Sequence, residues 1–244
     1  MYYLLTKKLK NNEGMTTSEP LRLPLLEDSA IPADSKPVWR GWLHVGALPL
    51  AVVGGLVLVA LAATPLATWT SVAFALSSIV LFGISATYHR INWSPPVKLM
   101  FKRIDHANIF LLIAGTYTPL GALALPPEKG WVLLIGVWIG AGLGIAFRVL
   151  WVGAPRWVYV PLYLVLGWVS IVYMPDLWAA NPAMTILVVM GGLAYTVGAI
   201  VYGMKRPNPI PGVFGFHEVF HSFTVVAFLC HWTAVLLIAL NPLT

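Results

Sequence analysis

Charge is scarce in this sequence. Asp, Glu, Lys and Arg make up 10% of its 244 residues, where a soluble domain carries about 25%. So few charges cannot coat a globular surface, which excludes a soluble enzyme. The apolar content excludes a disordered chain. Cysteine is absent except for Cys230, which excludes an internal disulfide. Strict polar–apolar alternation is missing as well. The apolar runs are continuous, which argues against a β-barrel. No lysine lies between 214 and 240, so the last apolar run offers no Schiff base to retinal. Residues 1–38 hold no apolar core of signal-peptide length, and no cleaved signal is expected. The string GAGLG at 140–144 is not GxGxxG and follows no strand. It reads as packing glycine, together with Gly136, rather than a nucleotide loop.

What remains is hydrophobic. The chain is 59% apolar, with a mean hydropathy of +0.80 and 11 Trp, 9 Tyr and 10 Phe. Aromatics of this abundance suit membrane interfaces. The fold class expected is all-α: a polytopic, multi-pass protein of the cell membrane. Seven apolar runs come near the roughly 20 residues that cross a bilayer. They cover about 42–62, 68–89, 105–124, 131–151, 157–175, 183–203 and 214–240. Between them stand turn-forming strings: TPLATW, INWSPPVK, LPPEKG, VGAPRW, MPDLWAANP and KRPNPIPG. Residues 1–38 are polar and of mixed charge and read as a flexible cytosolic tail. Residues 39–244 read as the membrane domain.

The net charge of +6 does not point to nucleic acid. The basic residues sit in short connections, where they signal topology. Threading the runs alternately places 14 of the 15 Lys and Arg on one side, with only Lys129 on the other. This arrangement predicts a seven-helix bundle with its N-terminus cytoplasmic and its C-terminus outside.

Ionisable residues inside spans are costly and usually functional. Here His89 ends run 2, Asp105 and His106 begin run 3, and His217, Glu218 and His221 begin run 7. The topology puts all three run ends at the cytoplasmic face. His89, Asp105, His217 and His221 therefore come from separate segments to one depth. Residues four apart share a helix face, about 6 Å apart along the axis. That relation holds for His217 with His221, and for Ser85 with His89. Three imidazoles and a carboxylate are what a catalytic Zn2+ site needs, with an open position left for water.

HEVFH at 217–221 also matches HExxH literally. A protease reading is discounted because the motif lies on a span without a soluble catalytic domain. Glu218 points about 100° away from His217. His231 lies about 15 Å beyond His221 along a helix, too far for the same ion, and a core hydrogen bond is expected for it. His44 reads as an interfacial anchor, His106 as pairing with a loop, and Arg90 and Arg103 as reaching lipid phosphates.

Ser85-x-x-x-His89, Asp105 and His217-x-x-x-His221 stand on seven spans, within SATYHR, RIDHANIFLLIAGTYTP and GFHEVFHSF. This set resembles the hemolysin III family, the bacterial branch of the progestin and adipoQ receptor (PAQR) group, which is related to alkaline ceramidases. The likeness covers nearly all of 39–244. It implies zinc held by His89, His217 and His221, Asp105 beside the water of the site, and Ser85 in support.

Three functions follow as expectations. The first is a zinc-dependent hydrolase of a lipid amide or acyl bond, fed sideways from the inner leaflet, with membrane lipid as partner and substrate. The second is a receptor-like sensor or regulator of membrane homeostasis with structural zinc. The third is a pore-forming hemolysin, ranked last because the spans are almost wholly apolar.

Overall fold

The computed structural model describes residues 36–243 and, ahead of them, two short paired strands. Strand β1 (Thr6–Lys10) runs antiparallel to β2 (Thr16–Pro20), with Thr6 opposite Pro20 and Lys10 opposite Thr16. The rest of the expected tail lies outside the described residues.

From Pro37 the chain is helical: α1 Trp42–Leu61, α2 Pro65–Arg90, α3 Pro95–Ala124, α4 Pro127–Leu150, α5 Arg156–Gly167, α6 Met174–Ala180, α7 Pro182–Met204 and α8 Phe216–Leu240. A 3-10 turn, Val169–Tyr173, joins α5 to α6, and the three together form one span, Arg156–Ala180. Seven segments are therefore long and apolar enough to cross a membrane.

Proline explains where several helices start. Pro65, Pro95, Pro127 and Pro182 each open a helix. There the missing N–H costs nothing and the fixed φ is already helical. Thr64 and Asn181 cap two of these starts, accepting from the backbone N–H of Ala67 at 3.2 Å and Met184 at 2.9 Å. Much of TPLATW, INWSPPVK and MPDLWAANP is consequently helical rather than loop. The largest departure is α3, which begins ten residues before the expected start at 105.

Helix α3 is the hub, touching α2, α4, α5, α6 and α8. Of its most apolar 18 residues 72% are buried, against 28% in α1 and in α4. Leu50, Val53 and Leu56 on α1, and Ile135, Ile139 and Leu143 on α4, stay exposed, as a lipid-facing surface requires. Small residues let the helices close on α3. A Cβ on Gly115 would come within 2.0 Å of Ser77 Oγ, and one on Gly144 within 2.5 Å of the Phe110 ring. Gly140 likewise meets Leu166, but Gly136 and Gly142 face open space. Only part of the glycine-rich face of α4 therefore packs.

In an apolar medium every freed backbone group needs a partner. Where α5 gives way to the 3-10 turn, Tyr117 supplies both: its hydroxyl donates to Gly167 O at 2.6 Å and accepts from Ser170 N at 2.9 Å. At the same end of the bundle, Lys129 pairs with both oxygens of Asp176 at 2.7 and 2.8 Å.

Candidate metal centre

Two helix ends and one helix flank build the site. The last turn of α2 carries His89, with Ser85 one turn earlier. Asp105 lies ten residues into α3, and the first two turns of α8 carry His217 and His221. Their ligand-capable nitrogens converge: one from each of His89, His217 and His221 lies within 4.8 Å of the others. His217 Nε2 and His89 Nε2 stand 3.1 Å apart. Asp105 Oδ2 is 4.0 Å from His89 Nε2. Ser85 is buried, and its hydroxyl faces the Asp105 carboxylate. All five positions singled out in the sequence thus meet, and the three histidines could hold a metal ion.

Glycine brings the chain against the site from outside. Gly41 adopts φ 84°, and a Cβ there would lie 2.7 Å from His89 Cβ. The turn before it is tied to the α7–α8 connection: Val38 N donates to Gly212 O and Trp39 N to Val213 O, both at 3.1 Å. Next to Gly41, Arg40 Nε donates to Glu218 Oε1.

Glu218 is fully buried and turned away from the histidines. Besides Arg40, its carboxylate accepts from Gly215 N at 2.9 Å, which caps the start of α8. The Glu of HEVFH is therefore a structural cap and not the general base of a protease motif.

His106 also turns away. Its Nδ1 meets Lys102 O at 2.7 Å and its Nε2 meets the Tyr202 hydroxyl at 3.2 Å, so it pairs across to α7 rather than with a loop. His231 makes the expected core bond, to Val188 O at 3.2 Å.

Three arginines differ in their burial and contacts. Arg148 is fully buried, its guanidinium 4.2 Å from the centre of the Tyr159 ring. Arg103 is half-buried, with its Nε lacking a hydrogen-bond partner among the described residues. Arg90 is exposed and stacks on Trp42 at 4.3 Å.

His44 requires a larger correction. It is no interfacial anchor: its ring is buried and lies parallel to His221, with centroids 3.7 Å apart and planes within 9°. The depth argument that gathers the other histidines applies equally to this one, three residues into α1. Only its early position in the run disguised it.

From the histidines an elongated cavity runs through the bundle between α3, α5, α7 and α8. His44, Ser85, Asp105, His217 and His221 line one end, and Leu120, Ser170 and Met174 line the other. Along α3 the wall extends from Asp105 to Leu120, about 22 Å of helix. Most of it is apolar.

Known proteins are similar to this chain in sequence. The "Hemolysin-3 homolog" of Bacillus subtilis is 35% identical over 153 residues, 62% of this chain and 68% of the relative. The "Hemolysin-3" of Bacillus cereus is 35% identical over 130 residues, covering 53% of this chain and 59% of that protein. The rice "Heptahelical transmembrane protein ADIPOR2" is 27% identical over 186 residues, 68% of this chain and 80% of the relative. It carries the relation to the PAQR group, and with seven spans the chain is a multi-pass membrane protein. The family described as Haemolysin-III related matches residues 33–232. Because that match runs from ahead of α1 well into α8 and takes in every residue of the histidine–aspartate cluster, the chain belongs to the Haemolysin-III related family.

Proposed function

We propose that the chain is an intramembrane zinc-dependent hydrolase acting on a lipid amide or related acyl bond near the cytoplasmic face. One observation carries the reading: three converging imidazoles stand beside a carboxylate, and that carboxylate with two of the imidazoles, His217 and His221, lines the end of a long apolar cavity. A polar reactive head and an acyl chain would fit that combination.

The donor set suits zinc. Zn–N distances of about 2.0–2.1 Å on a tetrahedron separate ligand nitrogens by about 3.3 Å. The 3.1 Å between His89 and His217 is close to that edge, and His221 needs a small turn inward to complete it. Imidazoles without thiolate are a donor set that zinc accepts. His89, His217 and His221 would hold the ion. When bound, zinc supplies a Lewis acid that polarises an acyl carbonyl and acidifies water.

The chain's own residues do the rest. Asp105 Oδ2 takes the proton of the attacking water as its oxygen bonds to the acyl carbon. That proton passes to the departing amine or alcohol as the C–N or C–O bond breaks. Ser85 orients the Asp105 carboxylate. The apolar wall holds the acyl chain in register and keeps bulk water away. Fourteen of fifteen basic residues support placing this end at the cytoplasmic face, where lipid would enter from the inner leaflet.

Asp105→Asn tests the reading. It keeps the side chain's size but removes the proton acceptor. The variant should retain zinc and fold while losing about 10²–10⁴ in turnover on lipid amides or esters. Unchanged turnover refutes the role of Asp105.

A second reading, a receptor-like sensor with structural zinc, is favoured by the names of two relatives. They are the rice protein above and the yeast "ADIPOR-like receptor IZH2", 43% identical over 54 residues. It predicts a metal sphere filled by protein and no turnover on any lipid. The pore-forming reading finds least support, since the interior wall is mostly apolar.

A further inference from the structure

His44 is an oddity as a core residue. It is 3% exposed, and both its ring nitrogens are buried without a hydrogen-bond partner among the described residues. A neutral imidazole always presents one N–H donor and one lone pair. Burying both unmet is a standing penalty, and native proteins meet such groups with a partner. Packing alone does not call for histidine here. A phenylalanine could stack on His221 equally well, and Phe82 already packs edge-on against the His44 ring at 5.1 Å. Nor is His44 one of the three convergent ligand histidines. It does line the cavity, at the end where Asp105, His217 and His221 stand.

We propose that His44 is a ligand-binding residue. Its imidazole hydrogen-bonds the polar head of a long-chain acyl compound whose chain fills the cavity. The N–H suits a carbonyl or carboxylate oxygen, and the lone pair suits an amide N–H or a hydroxyl. Stacked on His221, the ring sits beside the metal ligands without joining them, so it can read the head of the ligand while the ion holds its own donors. The inference rests on the acyl-cavity part of the function proposed above and not on turnover.

The probe is palmitic acid, with binding measured on the purified full chain in detergent, alongside metal content. Two variants separate hydrogen bonding from stacking. His44→Phe keeps an aromatic face for His221 but has no polar atom. His44→Gln keeps a donor and an acceptor but has no ring. His44→Phe should retain its metal and melting temperature yet bind palmitate at least tenfold more weakly. His44→Gln should stay within about threefold of the parent. Two results overturn the proposal: parent-like binding by His44→Phe, or weak binding with metal loss confined to His44→Gln, which would make His44 a stacking support for His221. Failure of the parent itself to bind palmitate overturns it together with the acyl-cavity reading. Palmitate binding that depends on His44, in a protein that hydrolyses no lipid, refutes the hydrolase alone.

Discussion

Replacing Arg40 with methionine removes the cation that faces Glu218 and leaves the packing stem. The side chains are 21% and 1% exposed, so the carboxylate is stranded in the interior. Removing one partner of a buried pair costs about 3–5 kcal/mol. Arg40 keeps some contact with solvent, and Glu218 retains its bond from Gly215 N. The low end, about 3 kcal/mol, therefore applies. For a unit of this size each kcal/mol moves Tm by about 2–4 °C. Arg40→Met should then melt about 6–12 °C below the parent. Glu218→Gln keeps an oxygen for Gly215 N but carries no charge, and its loss should be nearer 1 kcal/mol, because Arg40 can turn to water. The double variant, Arg40→Met with Glu218→Gln, should regain most of what Arg40→Met alone loses, since no buried charge is left unpaired. Thermal melts in detergent, followed by tryptophan fluorescence, measure all three. A double variant as unstable as Arg40→Met, or an Arg40→Met variant melting within a degree of the parent, refutes the reasoning. Metal content adds a functional check. Glu218→Gln should bind metal like the parent, whereas loss of metal or turnover would return Glu218 to a protease-like role.

Alanine at His89, His217 or His221 should each abolish metal binding and lower Tm, because a bound ion stabilises only the folded state. His231→Ala should leave metal content unchanged, and elemental analysis of the purified variants decides between them. Gly144→Val drives a side chain into the Phe110 ring, 2.5 Å from where its Cβ would stand. It should cost about 1–3 kcal/mol, seen as a lower melting temperature with the metal site intact. A reporter fused to the C-terminus should be inactive in the cytoplasm and active outside it. A cytoplasmic signal would contradict the orientation read from the basic residues.

The seven spans were legible because hydropathy is a local signal and a bilayer imposes one length on every run. Helix starts were less legible. Residues 95–104, PPVKLMFKRI, look like a connection, yet Pro95 opens α3 there and the helix continues into the core. The fifth run concealed a break, because its hydropathy stays high through the 3-10 turn that Tyr117 stitches. Within the site, depth alone was enough to bring His89, Asp105, His217 and His221 together, since topology fixes depth. Rotation about each helix axis is set by packing. Hence the stacking of His44 on His221, the pairing of His106 with Tyr202, and the reach from Arg40 to Glu218 across 178 residues left no pattern in the sequence.

The central claim is that His89, His217 and His221 hold a zinc ion with a position left open for chemistry. X-ray absorption at the zinc edge, on the purified protein with its metal content determined, tests it most directly. The account predicts stoichiometric zinc bound by three imidazole nitrogens and one exchangeable oxygen. A protein without bound metal, or zinc enclosed by four protein ligands with no exchangeable position, would contradict it.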